Sequence, residues 1–420
     1  MKRALRPCRV GLVIALPWLV VTACRTRSPK TSSPPTSHAA DAASPDAMSR
    51  QRVTSIIAAY RRIVSPNGVE ELRALPINGS QQWVSIRGRD RRNPILLYLH
   101  GGPGSPTMPE AYTFQAPWED YFTVVQWDQR GAGKTYAAND PKALASTMTL
   151  PQMTADAEAI VAYLRHTYGK KKIFLLGHSW GTVLGLTLAR RHPDWFYAYV
   201  GAGQVVNMRK SEADGYNFAL AEARAHHNVA AERELLALAP YPGPTDSLTF
   251  DRIGRQRKWL NYYGGLTYGR TDFTYDDDAR TLSPDYTDRD LASIDSGGLY
   301  SLTHLLPALA SLDYDSVTAF KCPIFLFNGR YDYAVSHILS AEWFGRVKAP
   351  AKRLVWFDNS AHMMMQEEPG RFLYHLITDV RPIAVKAGDG AAAWAPAGAG
   401  PQHVPRRPGQ KGRTLTAGAP

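Results

Sequence analysis

The pentapeptide Gly177-His178-Ser179-Trp180-Gly181 restricts what this chain can fold into more than any other stretch. It follows the apolar run KKIFLL and opens the segment TVLGLTLARR, which reads as a helix. A strand that passes into a helix through so short a turn holds its central residue in a strained conformation. Strand and helix nearly touch beside that residue, so both flanking positions are expected to be glycine. The serine is pushed out beyond the sheet, at the positive end of a helix.

The rest of the body repeats the same alternation. Short apolar runs at Trp83–Arg87, Ile95–His100, Thr123–Trp127, Ile173–Leu176, Ala198–Gly201, Ile324–Asn328 and Leu354–Phe357 read as strands. Several, such as ILLYL, are continuously apolar, as in a parallel sheet covered on both faces. Helical patterns lie between them at Leu150–Tyr168, Trp180–Arg191, Ile338–Val347 and Pro369–Val380. This order predicts a doubly wound, mostly parallel α/β sheet. The alternation stops over residues 204–316, where helical patterns (Ser211–His227, Arg252–Tyr262, Leu291–Leu312) occur without a clear buried strand. That stretch is expected to form a helical cap over the end of the sheet where active sites form. The core is then expected in two parts, residues 49–203 and 317–385.

A serine becomes a nucleophile when a base takes its proton, and the base needs an orienting carboxylate. With Ser179 on a strand–turn–helix, the expected chain order is Ser, acid, His. PIFLFNG ends in Arg330-Tyr331-Asp332, which places Asp332 just past a strand. RLVWFD is followed by Asn359-Ser360-Ala361-His362, which places His362 in the loop after the next strand. Asp358 is a rival acid, but it shares the loop of His362. His166, His192, His226, His227, His304, His337 and His375 fall in helical or cap segments, and His178 is expected to support the turn. The oxyanion that forms needs fixed N–H donors. One is expected from Trp180. The other is expected from His100-Gly101-Gly102-Pro103-Gly104, directly after ILLYL, with Gly102 favoured and Gly101 next.

The stretch QWDQRGAGKT ends like a nucleotide-binding loop. The P-loop spacing would put its first glycine at Asp128, and a carboxylate there repels phosphate. No nucleotide is expected. HGGPG, WDQRGAGKT and GHSWGT, together with GRYD and the late histidine, resemble the α/β-hydrolase superfamily and, within it, the prolyl iminopeptidase group. The resemblance covers residues 80–201 and 320–380 and leaves the cap largely unmatched. It implies an α/β-hydrolase fold and makes DQRG a structural turn, braced by Asp128 and Arg130 with Gly131 and Gly133 at unusual backbone angles. Thr135 stands where the group usually has Ser, and His178 where many members have Gly. The resemblance also implies acidic cap residues that hold a substrate's free amine, often with a Trp-Glu pair. Here Trp259 is followed by Leu260, and Glu212, Glu222 and Asp272 are the substitutes weighed, with surface salt bridges as their default role.

The expectation is therefore a serine hydrolase acting through Ser179, Asp332 and His362. Its substrate is a small peptide or small acyl compound, and no cofactor or metal is expected. An aminopeptidase releasing N-terminal proline or a small residue comes first. An esterase, amidase or lactonase on a small apolar substrate is the alternative, and a non-catalytic binding protein of the same fold is a further one.

The net charge of +12 lies mostly in the two ends. A nearly neutral body argues against nucleic-acid binding. Residues 1–24 carry Lys2, Arg3, Arg6 and Arg9 before an apolar run and read as an export signal. They end in Val21-Thr22-Ala23-Cys24, which resembles a bacterial lipobox and implies a lipid anchor on Cys24. Arg25, rather than Asp, follows it, which implies the outer membrane if the host is Gram-negative. Residues 25–48, rich in Ser, Thr, Pro and Ala, read as a tether, and 386–420 as a disordered tail. Cys322 is the single cysteine left in the body, so no internal disulfide is expected.

Overall fold

The computed structural model of the chain describes residues 48–244 and 248–391. The expected export signal, Cys24 and nearly all of the tether and tail lie outside the described residues. An eight-stranded sheet forms the centre: β1 (Val69–Ile77), β2 (Ser80–Gly88), β3 (Ile95–Leu99), β4 (Thr123–Asp128), β5 (Ile173–His178), β6 (Phe196–Ala202), β7 (Ile324–Gly329) and β8 (Lys352–Phe357). The spatial order is β1-β2-β4-β3-β5-β6-β7-β8. β2 runs antiparallel to both of its neighbours, and every other pairing is parallel.

Both faces of the sheet are covered, and the strands show it residue by residue. Ile95, Leu97 and Leu99 of β3 enter one apolar cluster, whereas Leu96 and Tyr98 enter the other. In β5, Ile173 and Leu175 face the first and Phe174 and Leu176 the second. Continuous apolar runs are the result of this two-sided burial. The first cluster is completed by the helices Leu150–Thr167 and Gly181–Arg191, and the second by Trp118 and by Phe372 of the helix Pro369–His375.

β1 was not expected. It sits at the sheet edge and pairs with β2 alone, so its burial is patchy and its sequence, VEELRALPI, carries little apolar signal. The turn that follows was the available clue. Asn78 and Gly79 both take positive φ, 45° and 79°, as a two-residue hairpin demands. Chain order closes the sheet as expected, because Ser179, Asp332 and His362 all follow the C-terminal ends of parallel strands.

Between β6 and β7 lie the helices Met208–Ala225, Val229–Leu236, Phe250–Tyr262, Thr274–Thr281 and Asp288–Ala310. The last of these presses its small residues onto two loops of the sheet. A Cβ on Gly297 would stand 2.8 Å from the Gly131 carbonyl oxygen, and one on Gly104 would stand 2.7 Å from Ser301 Cβ. Ser301 Oγ donates to the Gly131 carbonyl at 2.9 Å.

The DQRG segment is a structural turn. Arg130 pairs with Asp156 at 2.7 Å, with both side chains buried, and donates to the Asn78 carbonyl as well. Gly131 and Gly133 have φ of 79° and 44°. Thr135 Oγ1 donates to the Asp128 carbonyl at 2.6 Å and accepts from Trp83 N–H at 2.9 Å. Lys134, the lysine of the apparent P-loop, is paired with Asp290 at 2.6 Å.

Asp128 Oδ2 accepts from Lys134 N–H and from the Tyr286 hydroxyl, while Oδ1 has no partner among the described residues. Burial pushes this carboxyl up to about 7, against the opposing pull of those two donors. The native state therefore keeps a proton that the unfolded chain releases near 3.8. The associated stability is present below that value and is lost as pH rises through about 7. Asp128→Asn preserves the Oδ2 acceptor and cannot ionise. Thermal unfolding of this variant, followed from pH 5 to pH 8, is expected to fall less with rising pH than that of the parent; parallel curves would contradict the assignment.

Candidate active site

Ser179 occupies the turn between β5 and the helix Gly181–Arg191 with a φ of 54°. A non-glycine residue in this region is strained and persists because its surroundings leave no alternative. Those surroundings are the flanking glycines. A Cβ on Gly181 would lie 1.9 Å from the Leu99 carbonyl oxygen, and one on Gly177 would lie 2.7 Å from the Gly181 carbonyl oxygen.

Asp332 lies in the loop after β7 and His362 in the loop after β8. Asp332 Oδ2 meets His362 Nδ1 at 2.7 Å, and both residues are almost wholly buried. Asp332 Oδ1 accepts from the N–H groups of Ala334 (3.1 Å) and Val335 (2.9 Å), which fixes the carboxylate plane. Gly203, φ 58°, backs this pair so closely that a Cβ would stand 2.8 Å from His362 Cε1 and 3.1 Å from Asp332 Oδ2. The rival Asp358 is on the surface, paired with Arg330 and Arg371.

Ser179 and His362 line one small cavity of about 50 Å³, together with Gly102 and Trp180. Its other walls are mainly apolar: Val205, Met208, Ile253, Leu302, Leu309 and Val335. Several of these belong to helices between β6 and β7, so that segment roofs the serine. The backbone N–H groups of Gly102 and Trp180 have no acceptor among the described residues. Gly101 N–H likewise has no acceptor among the described residues, and a Cβ on Gly101 would meet Ser179 Cβ at 3.1 Å.

Two histidines, His178 at the end of β5 and His100 after β3, hold this arrangement. His178 Nε2 bonds to the His362 carbonyl at 2.9 Å, so it steadies the loop of His362. Burial, together with the neighbouring His362, lowers it to about 3 and keeps it neutral. His100 Nε2 accepts from Gln129 N–H at 3.1 Å, and its Nδ1 faces the Gly101 carbonyl at 2.9 Å. Burial lowers His100 to about 4, so it too is neutral. Among the described residues, the remaining histidines line no part of the Ser179 cavity.

Comparison with known proteins identifies the group. The family described as "alpha/beta hydrolase fold" matches residues 94–369. The chain belongs to the α/β-hydrolase family. It is 30% identical to a probable aminopeptidase of Bacillus subtilis over 72% of this chain and 93% of that protein. It is 37% identical to a proline iminopeptidase of Neisseria gonorrhoeae, over 24% of this chain and 29% of that protein. Among solved structures, a proline iminopeptidase of Mycobacterium smegmatis superposes with a TM-score of 0.55 at 18% identity, covering 76% of this chain and all of that one, a likeness of fold. This α/β-hydrolase is thus a hydrolase that resembles prolyl iminopeptidases.

The acidic candidates fall differently from one another. Glu222 pairs with the exposed His226, and Asp272 accepts from Thr274 N–H; neither lines the Ser179 cavity. Glu212 is wholly buried behind Arg257, which does line it. Trp259 donates to Glu234 at 2.9 Å and packs among the helices between β6 and β7, outside the lining of the Ser179 cavity.

Sequence reasoning assigned nothing to Gln129, although the residue lies in the DQRG motif. Its Nε2 donates to the His100 carbonyl (3.0 Å), and its Oε1 accepts from Trp180 Nε1 (3.0 Å). It therefore joins the two loops that carry the free N–H groups. Gln129→Leu leaves two buried groups unpaired, at a cost of about 1–3 kcal/mol each. The variant is expected to lose about tenfold to hundredfold in kcat with KM little changed, and Gln129→Glu, which keeps the acceptor, is expected to recover part of the loss. Equal effects on kcat and KM would mean that Gln129 has no part in positioning those loops.

Proposed function

We propose that this α/β-hydrolase acts as a serine hydrolase through an acyl-enzyme. The observation that carries the reading is the buried Asp332–His362 contact at 2.7 Å, in a cavity that His362 shares with the strained Ser179. His362 Nδ1–H is held by Asp332, which leaves Nε2 as the basic nitrogen. Nε2 takes the proton from Ser179 Oγ as the oxygen attacks the acyl carbon. The oxyanion is met by the N–H groups of Gly102 and Trp180. His362 then gives the proton to the departing amine or alcohol as the acyl bond breaks. Water, deprotonated by the same nitrogen, attacks the acyl-enzyme, and the acid leaves as Ser179 regains its proton.

The names of the similar proteins favour release of an N-terminal residue, proline among them, from short peptides. A second reading, an esterase, amidase or lactonase on a small apolar substrate, is favoured by the mainly apolar cavity wall, in which no carboxylate stands free. Both use the same steps.

A fluorophosphonate probe is expected to label Ser179 in the folded protein. Ser179→Ala is expected to lower kcat by about 10⁶, and Asp332→Asn by about 10⁴, with little change in thermal stability for Ser179→Ala. Absence of labelling in folded protein would instead favour the non-catalytic binding role. For location, we propose export and a lipid anchor at Cys24, on the sequence pattern alone. Cys24→Ala is expected to move the protein from the detergent phase to the aqueous phase on Triton X-114 partition, and an unchanged distribution would exclude the anchor.

A further inference from the structure

Among the described residues, one side chain lining the Ser179 cavity besides His362 is ionisable: Arg257, from the helix Phe250–Tyr262. Its position is fixed by a buried partner. Both oxygens of Glu212 are engaged by the two terminal nitrogens of Arg257, and Glu212 Oε2 also accepts from the Tyr241 hydroxyl. The same terminal nitrogens donate to Gln256 Oε1 and to the Ala334 carbonyl, the latter at 3.3 Å. That accounts for four of the five guanidinium N–H groups. Nε–H has no acceptor among the described residues.

This arrangement bears on which acyl groups the cavity admits. An N-terminal ammonium leaving water for a small cavity needs an anion at contact distance, or it loses several kcal/mol of hydration without return. Asp332 is bound to His362, and Glu212 is sealed by a two-pronged guanidinium contact. A single ammonium replaces such a contact poorly, because the planar fork matches a carboxylate at two points. The pair also turns its positive end towards the cavity, against an incoming cation.

Resting on the serine-hydrolase reading above, we propose that Arg257 sets the substrate class. The cavity takes small acyl groups without a free α-amine, which carry an oxygen acceptor near the reacting carbonyl to receive Arg257 Nε–H. N-acylated residues and hydroxy- or alkoxy-acyl esters have this chemistry, whereas peptides with a bare N-terminus do not.

The test compares prolyl p-nitroanilide, its N-acetyl derivative and the p-nitrophenyl ester of methoxyacetic acid. Each is read by Ser179-dependent turnover and by protection of Ser179 from a fluorophosphonate probe, with Ser179→Ala as the blank. The parent protein is expected to favour the N-acetyl derivative over the free amine by about tenfold or more in kcat/KM, and to turn over the ester. Arg257→Gln, which exposes Glu212, is expected to shift that ratio towards the free amine by about tenfold. Because a bared Glu212 strains folding, Arg257→Lys provides a second measurement. It keeps a cation against Glu212 but has no Nε–H, and is expected to lower turnover of the N-acetyl derivative and of the ester by about tenfold while the free amine stays excluded.

A parent protein that requires the free amine, or an Arg257→Lys variant with turnover of all three compounds unchanged, would overturn the role of Arg257 and leave the serine hydrolase standing. No labelling of Ser179 by the probe would overturn the hydrolase reading itself. Labelling without turnover of, or protection by, any of the three compounds would overturn the substrate class alone.

Discussion

The close approach of the helix Gly181–Arg191 to β3 and β5 governs this molecule. At Gly181 there is no room for a single carbon beyond the backbone, because the Leu99 carbonyl occupies that space. The helix therefore rides directly on the sheet, and the turn feeding it has one course. Ser179 must take a positive φ, and its side chain must leave the sheet at the strand ends. Everything else that meets the serine is arranged around a position it cannot choose. β7 ends under a similar constraint, since a Cβ on Gly329 would lie 1.8 Å from the Ala361 carbonyl oxygen. The loop carrying His362 is thus laid against the strand that delivers Asp332.

The ionisable side chains around the serine stay uncharged or are matched by an opposite charge. His100 and His178 are neutral, each bonded to a backbone carbonyl of a loop that lines the site. Gln129 ties the loop after β3 to Trp180. In a cavity this small, an unpaired charge would cost more than the site gains from it. The one cation on its wall, Arg257, is accordingly matched by an acid placed behind it.

Legibility in the sequence followed the physics of each element. Buried parallel strands announce themselves because both faces need apolar residues, so seven strands were readable and the edge strand β1 was not. Ser179, Asp332 and His362 were readable because chain order and strand ends fix them, and the structure brings these three side chains to one place. Gly203 was not, because its need for φ 58° arises from a histidine and a carboxylate far along the chain. Glu212 and Arg257 were both visible as residues, but their contact joins two helices whose packing no local pattern encodes. Surface pairing was the default for Glu212, and complete burial is what the fold gives it.

The seam along the helix Asp288–Ala310 differs from the rest of the roof. Gly297, Gly298 and Ser301 leave no gap between that helix and the backbones of the loops after β3 and β4. Lys134 adds an ion pair at the helix start. Upstream of residue 288 the roof grips the catalytic loops at a second seam, where the Gly265 and Leu266 carbonyls accept from Tyr333 N–H at 3.0 Å and from His362 N–H at 3.1 Å. A chimaera that exchanges the roof must therefore carry two matched seams, one against the loops after β3 and β4 and one against the loops of the acid and the base.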